Sequence, residues 1–200
     1  AVTELKEQEF DKLFEGQPAR PKWNAGETTI DVDIDAYIPD FFIESDSERL
    51  DFYRRLYNAT SEDEIRGMQD ELRDRFGEYP EEVENLFSIV QLKTIASKLR
   101  FSKVELLKNQ LSLFFPRPEE KAFYESVDGA TAPFQSMMAL LPALRRFKAH
   151  LKQDGKQLKL LATLTGGDVA QIVFTSAREF LRLLRTGNET ISTSESPSAH

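Results

Sequence analysis

The sequence predicts an α+β fold, with a helical layer packed beside a small antiparallel sheet of hairpins. Three observations carry this expectation. Residues 46–99 show helical periodicity broken by well-formed cap signals, residues 28–38 alternate strictly between apolar and polar, and two short alternating pairs at 103–115 and 146–163 surround turn residues. The 200 residues, with 40% hydrophobic and 30% charged content, suit one ordinary domain with appendages. No run of about 18 apolar residues is present, so no membrane-spanning helix is expected. The opening residues Ala1 to Lys6 lack the basic-then-apolar layout of a secretory signal, and a cytoplasmic location is expected.

Along the chain, residues 2–14 read as a helix, and Gly16, Pro18 and Pro21 end it in a connector to Gly26. Ile30, Val32, Ile34, Ala36 and Ile38 then alternate with Asp31, Asp33, Asp35 and Tyr37, predicting a strand with an acidic outer face that Pro39 closes. Ser45 with Glu48, and Ser61 with Glu64, have capping-box spacing. Each precedes an apolar stripe: Leu50, Tyr53, Leu56 and Tyr57 in the first case, and Ile65, Met68, Leu72 and Phe76 in the second. Gly77 is placed as a stop. Pro80 is placed as a first helical residue, with Glu81, Glu82 and Glu84 favourable against the dipole of the next helix.

In the second half, strands flank Asn109-Gln110 as a hairpin, and Asp154-Gly155 marks a second hairpin turn. A short helix is expected at 119–126, and a longer one from Thr131 to about Leu144, disturbed by Pro142. A closing helix is expected at 168–185. The Ser- and Thr-rich tail from Gly187 to His200 has too little apolar content to fold.

Most enzyme designs are excluded early. There is no cysteine, so disulfides, thiolate zinc sites and cysteine nucleophiles are absent, and the histidines are only His150 and the terminal His200. Asp31, Asp33 and Asp35 open like a calcium loop, but Ala36 and Phe42 stand where that loop needs Gly and Glu. Gly166-Gly167 precedes a helix without the Lys-Ser/Thr of a phosphate-binding loop and reads as a turn. No catalytic, cofactor-binding or metal-binding residue is assigned, and no cofactor is expected.

Charge is distributed unevenly. Residues 31–90 hold 18 Asp and Glu against 6 Lys and Arg, whereas residues 91–200 hold 10 against 16, within a net charge of −8. Such polarity suits a complementary protein surface better than bare DNA. The basic run Arg145, Arg146, Lys148, Lys152, Lys156 and Lys159 could follow a phosphate backbone, but Phe147 is its lone aromatic, and a solvated hairpin face is favoured. Within the acidic segment, Glu71 and Arg75 fall on one flank of their helix at i,i+4 spacing and Asp74 falls opposite the apolar stripe.

An ordered series of motifs extends this reading: Tyr37-Ile38-Pro39-Asp40, Phe42-Ile43, Arg49-Leu50, Phe52-Tyr53-Arg54-Arg55-Leu56, and Glu71-Leu72-Arg73-Asp74-Arg75-Phe76-Gly77 with Pro80. Over residues 27 to 105 it resembles the C-terminal domain of bacterial transcription-repair coupling factors. The resemblance implies that residues 1–26 lead out of an upstream motor module and that 27–186 form a regulatory domain, with the tail at 187–200, expected to be disordered from its composition, after it.

It further implies a non-catalytic fragment of an ATP-driven DNA translocase that displaces stalled RNA polymerase. In that family the domain docks on the UvrB-like module of the same polypeptide, masking UvrA binding and restraining the motor. Contact with DNA would run through the parent's motor. The family's locking contacts map onto Glu71, Asp74 and Arg75. The alternative is a DNA-contacting accessory module using the basic hairpin 145–159.

Overall fold

The computed structural model describes residues 28–126, 131–167 and 169–193. The expected helix at 2–14, its connector and residues 194–200 of the expected tail lie outside the described residues. The chain forms β1 (Thr29–Val32), α1 (Asp46–Asn58), α2 (Glu62–Phe76), α3 (Glu81–Lys98), β2 (Lys103–Leu107) and β3 (Gln110–Phe114). There follow α4 (Lys121–Tyr124), α5 (Pro133–Leu140), a 3₁₀ segment (Leu141–Phe147), β4 (His150–Asp154), β5 (Gln157–Thr163) and α6 (Ala170–Thr193). The α+β class holds.

The strands make one five-stranded sheet in the order β1-β2-β3-β5-β4. β1 is parallel to β2, and every other pair is antiparallel. One face is apolar and buried in the three central strands, through Val104 and Leu106, Leu111 and Leu113, and Leu160 and Ala162. They pack with Leu92, Ile95 and Leu99 of α3, Met137 of α5, and Val173, Phe174, Phe180 and Leu184 of α6. A second core lies in the helical half, where Ile38, Ile43, Phe52, Leu56, Ile65, Met68 and Leu72 close over Val83 and Phe87. α3 belongs to both cores: its first turns serve the helical one and its last turns the sheet.

The alternating strand expected over 28–38 ends at Val32. Beyond it Asp33 N–H still donates to the Leu106 carbonyl of β2 at 3.4 Å, and other polar groups find partners outside the ladder. The Asp33 carboxylate accepts the Lys108 N–H at 3.0 Å and caps the β2–β3 turn. The Asp35 carbonyl accepts from Asn85 Nδ2 at 3.0 Å, Tyr37 N–H donates to the Glu82 carbonyl, and Ile38 N–H donates to the Tyr53 hydroxyl at 2.7 Å. Burial pushes the Tyr53 phenol up from its ordinary pKa. Alternation survives in the burial, with Ile38 covered and Asp33, Asp35 and Tyr37 exposed, but α1 and α3 supply the pairing in place of a strand.

The helix ends follow the cap signals with small shifts. The Ser61 hydroxyl accepts from Glu64 N–H at 3.2 Å, while the Glu64 carboxylate accepts from Thr60 N–H at 2.8 Å, one residue before the expected partner. Pro80 is the residue before α3 and not its first member, and its carbonyl receives the Val83 and Glu84 N–H groups. Gly77 stops α2 at φ +84°, a conformation that favours glycine. In the first hairpin the loop is Lys108-Asn109, one residue earlier than expected, because Leu107 pairs with Gln110. Gly166 does form the expected turn, at φ +130°, and a Cβ there would meet Val173 N at 2.7 Å. α6 runs past Gly187 to Thr193, beyond the expected start of the tail.

Candidate interdomain interface

α2 presents its apolar side inward through Ile65, Met68 and Leu72, all buried, with Phe76 half-buried against the Phe42 and Phe52 rings. Its outer flank carries the residues singled out by sequence. Glu71 and Arg75 make the expected i,i+4 pair at 3.3 Å. That pair is part of something larger. The Arg55 guanidinium of α1 donates both terminal nitrogens to the Glu71 carboxylate, one at 3.0 Å, and Arg75 donates also to Glu48, at the start of α1. Arg75 lies over the Phe76 ring at 4.8 Å, and Arg55 lies over Phe52 at 5.2 Å. A chain Glu48–Arg75–Glu71–Arg55 thus ties α1 to α2 across the aromatic lid of the helical core. The Arg55 hydrogen bond, outweighing some desolvation, holds the Glu71 carboxyl below its ordinary pKa.

Asp74 differs from its two companions. It is exposed and has no hydrogen bond or ion pair among the described residues. The structure therefore separates the three expected interface residues. Glu71 and Arg75 are committed within the domain, and Asp74 alone offers an unshared charge. Beside it, Arg73 makes an ion pair with Asp70 and lies over the Tyr79 ring. Sequence reasoning assigned Glu48 only a capping role beside Ser45 and gave Arg55 no part in this network. The signal available was the Arg54-Arg55 pair inside an otherwise acidic stretch, but nothing local said which carboxylate it would meet. A shallow groove of about 520 Å³ between α1 and α2, lined by Arg54, Arg55, Asn58, Glu64 and Gly67, continues this flank.

The basic run does not form one surface. Arg145 and Arg146 lie in the 3₁₀ segment, where Arg146 pairs with Glu179 of α6 at 2.7 Å. Only Lys152, Lys156 and Lys159 belong to the hairpin. His150 is exposed. Among the described residues, no group of acidic or histidine side chains could hold a metal ion, and no helix is long and apolar enough to cross a membrane. Asp31, the first of the calcium-like aspartates, instead meets Lys103 at 3.5 Å.

Comparison with known proteins places this architecture. Residues 32–126 match the TRCF domain family. The transcription-repair-coupling factor of Bacillus subtilis is 37% identical over 134 residues, which cover 67% of this chain and 10% of that protein. The factor of Staphylococcus aureus (strain USA300) is 32% identical over 109 residues, covering 54% of this chain and 9% of the relative. The chain thus spans about a tenth of the length of the curated relatives it matches. A crystal structure of the C-terminal domain of transcription-repair coupling factor superposes with a TM-score of 0.63 at 21% identity, covering 85% of this chain and 96% of that one. The chain accordingly carries a TRCF domain and belongs with the C-terminal domains of the transcription-repair coupling factors.

Proposed function

We propose that this domain is a non-catalytic regulatory element. It docks through the exposed flank of α2 onto a UvrB-like module of the same polypeptide, masks the UvrA-binding surface there, and restrains the motor until RNA polymerase is engaged. The ATP-dependent work on DNA belongs to that motor, and the setting is the cytoplasm. The observation that carries the reading is Asp74, an exposed carboxylate without a partner among the described residues, on a helix whose Glu71 and Arg75 are already held by Arg55 and Glu48. Pre-paired neighbours mean that little side-chain ordering remains to be done on docking. An interface centred on exposed charge is selective and salt-sensitive, which suits a contact that must open.

The test is titration of this chain against the UvrB-like module. Asp74→Lys is expected to weaken docking by about tenfold or more while leaving the melting curve unchanged. In the full-length protein the same change should expose UvrA binding without polymerase. Unaltered docking by Asp74→Lys would refute the assignment. Reversal at Glu71 is a poorer probe, because it also strands Arg55 and Arg75.

A further inference from the structure

The sheet has a second face, and its composition is not that of a generic solvated surface. Registry aligns Lys103, Phe114, Lys159 and Lys152 in one row across β2, β3, β5 and β4. The next row on the same face is Glu105, Ser112, Leu161 and His150. Whereas the opposite face is buried under helices, these residues keep solvent. Phe114, Lys103, Lys159 and Leu161 are half-exposed, and Lys152 and His150 are exposed. At about 4.8 Å between neighbouring strands, the row spans on the order of 15 Å.

Three features of this row point to an anionic, ring-bearing ligand. Phe114 is the aromatic member of a row whose other three residues are lysines, with the Lys159 ammonium 4.6 Å and the Lys103 ammonium 5.5 Å from its ring centre. Lys152 stands directly opposite Lys159, and like charges in that position weaken a strand pair. Lys152 also has no carboxylate partner among the described residues. Two of the lysines already have carboxylate partners that a phosphate would displace: Lys103 meets Glu105 at 2.7 Å and Asp31 at 3.5 Å, and Lys159 meets Asp154 at 3.5 Å. The linear reading of the basic run found only Phe147 as an aromatic, and Phe147 is buried against Phe180. The ring beside the hairpin lysines comes from β3, some 40 residues earlier in the chain.

We propose that this face is a binding site for single-stranded nucleic acid. One base stacks on Phe114, and phosphates draw the Lys103 and Lys159 ammoniums off the ring, with Lys152 taking the next phosphate. A duplex keeps its bases stacked on each other and cannot offer one to Phe114, so the ring makes the site selective for single strands. This site is separate from the α2 flank and does not depend on the docking proposed for it.

The experiment is fluorescence anisotropy of the 200-residue chain with a labelled oligothymidine of about 12 nucleotides. A duplex of equal length and polyglutamate serve as competitors. Three lysine–phosphate contacts predict that affinity falls roughly 10- to 20-fold between about 50 and 200 mM salt. Phe114→Leu should lower affinity by about fivefold or more with the salt slope kept, as loss of a stacked base does. Lys152→Glu, on an exposed edge strand where folding is not at stake, should weaken binding and flatten the slope. The proposal is overturned if the oligonucleotide does not bind. It is equally overturned if duplex or polyglutamate competes as well as the single strand, or if both variants bind like the parent.

Discussion

Among the described residues, the sheet half closes 23 buried hydrophobic side chains into one core between Leu92 and Leu184, while the helical half closes nine between Ile38 and Phe87. The smaller core is roofed by ion pairs: Arg55 and Arg75 lie across Phe52 and Phe76 and bind Glu71 and Glu48. The larger core is bounded instead by backbone ladders with fixed registry. Where the two halves meet along α3 and α6 the joint is polar. Gln171 donates to Asn85 at 2.7 Å, Arg178 donates to Ser88 and Gln91, and Arg182 and Arg185 both reach Glu62. Desolvation, with Arg182 adding to it, pushes the Arg178 pKa down. The larger apolar core thus lies in the sheet half, and ion pairs laid over aromatic rings characterise the helical half.

The largest expected effect tests whether that division is real. Phe174→Ala, at the centre of the sheet core, should lower stability by about 3–5 kcal/mol, and a urea titration followed by circular dichroism should show strands and helices lost together. Leu72→Ala in the helical core falls at about 2–5 kcal/mol. Amide exchange should then rise first in residues 46–76, with the strands still protected. Equal exchange in both halves would show one cooperative unit.

Smaller changes sharpen the picture of α2. Ser61→Ala removes the hydroxyl that accepts the Glu64 N–H and should cost about 1 kcal/mol by thermal melting. Gly67→Ala goes the other way. Its Cβ would meet nothing within 4 Å, so an exposed helix-interior glycine is replaced without a clash, raising stability by about 0.5–1 kcal/mol.

The smallest effect is the most diagnostic of the ion-pair roof. Because Arg55 holds the Glu71 carboxyl below its ordinary value, the stabilisation is fully present above the unfolded value of about 4.3. It is lost as pH falls through the lower, folded value. Acid titration should therefore loosen the α1–α2 junction, and Glu71→Gln should remove that part of the pH dependence. Strand protection should not change with either.

The helical half was the more legible because its signals are local. Ser61 and Glu64, Gly77, and the Ile65–Met68–Leu72 stripe each act within a turn or two of themselves. The Glu71–Arg75 pair could likewise be read from spacing alone. The same locality misled at residues 33–38, where alternation is genuine but the hydrogen-bond partners are Asn85, Glu82 and Tyr53, far away in sequence. The sequence singled out Glu71, Asp74 and Arg75, but not the contrast between a Glu71 held by Arg55 and an Asp74 without a partner among the described residues. That contrast depends on where Arg55 points.

Cap chemistry, apolar period and turn residues determined by themselves that this protein would be α+β, that three helices would precede the hairpins, and that acidic and basic charge would separate along the chain. These are short-range consequences of hydrogen-bond geometry and burial. Tertiary structure decided that β1 joins β2 in parallel, that Arg55 closes over Glu71, and that Phe114 stands between Lys103 and Lys159. Each of these joins segments distant in sequence, where chain packing and registry, not neighbouring residues, choose the partner.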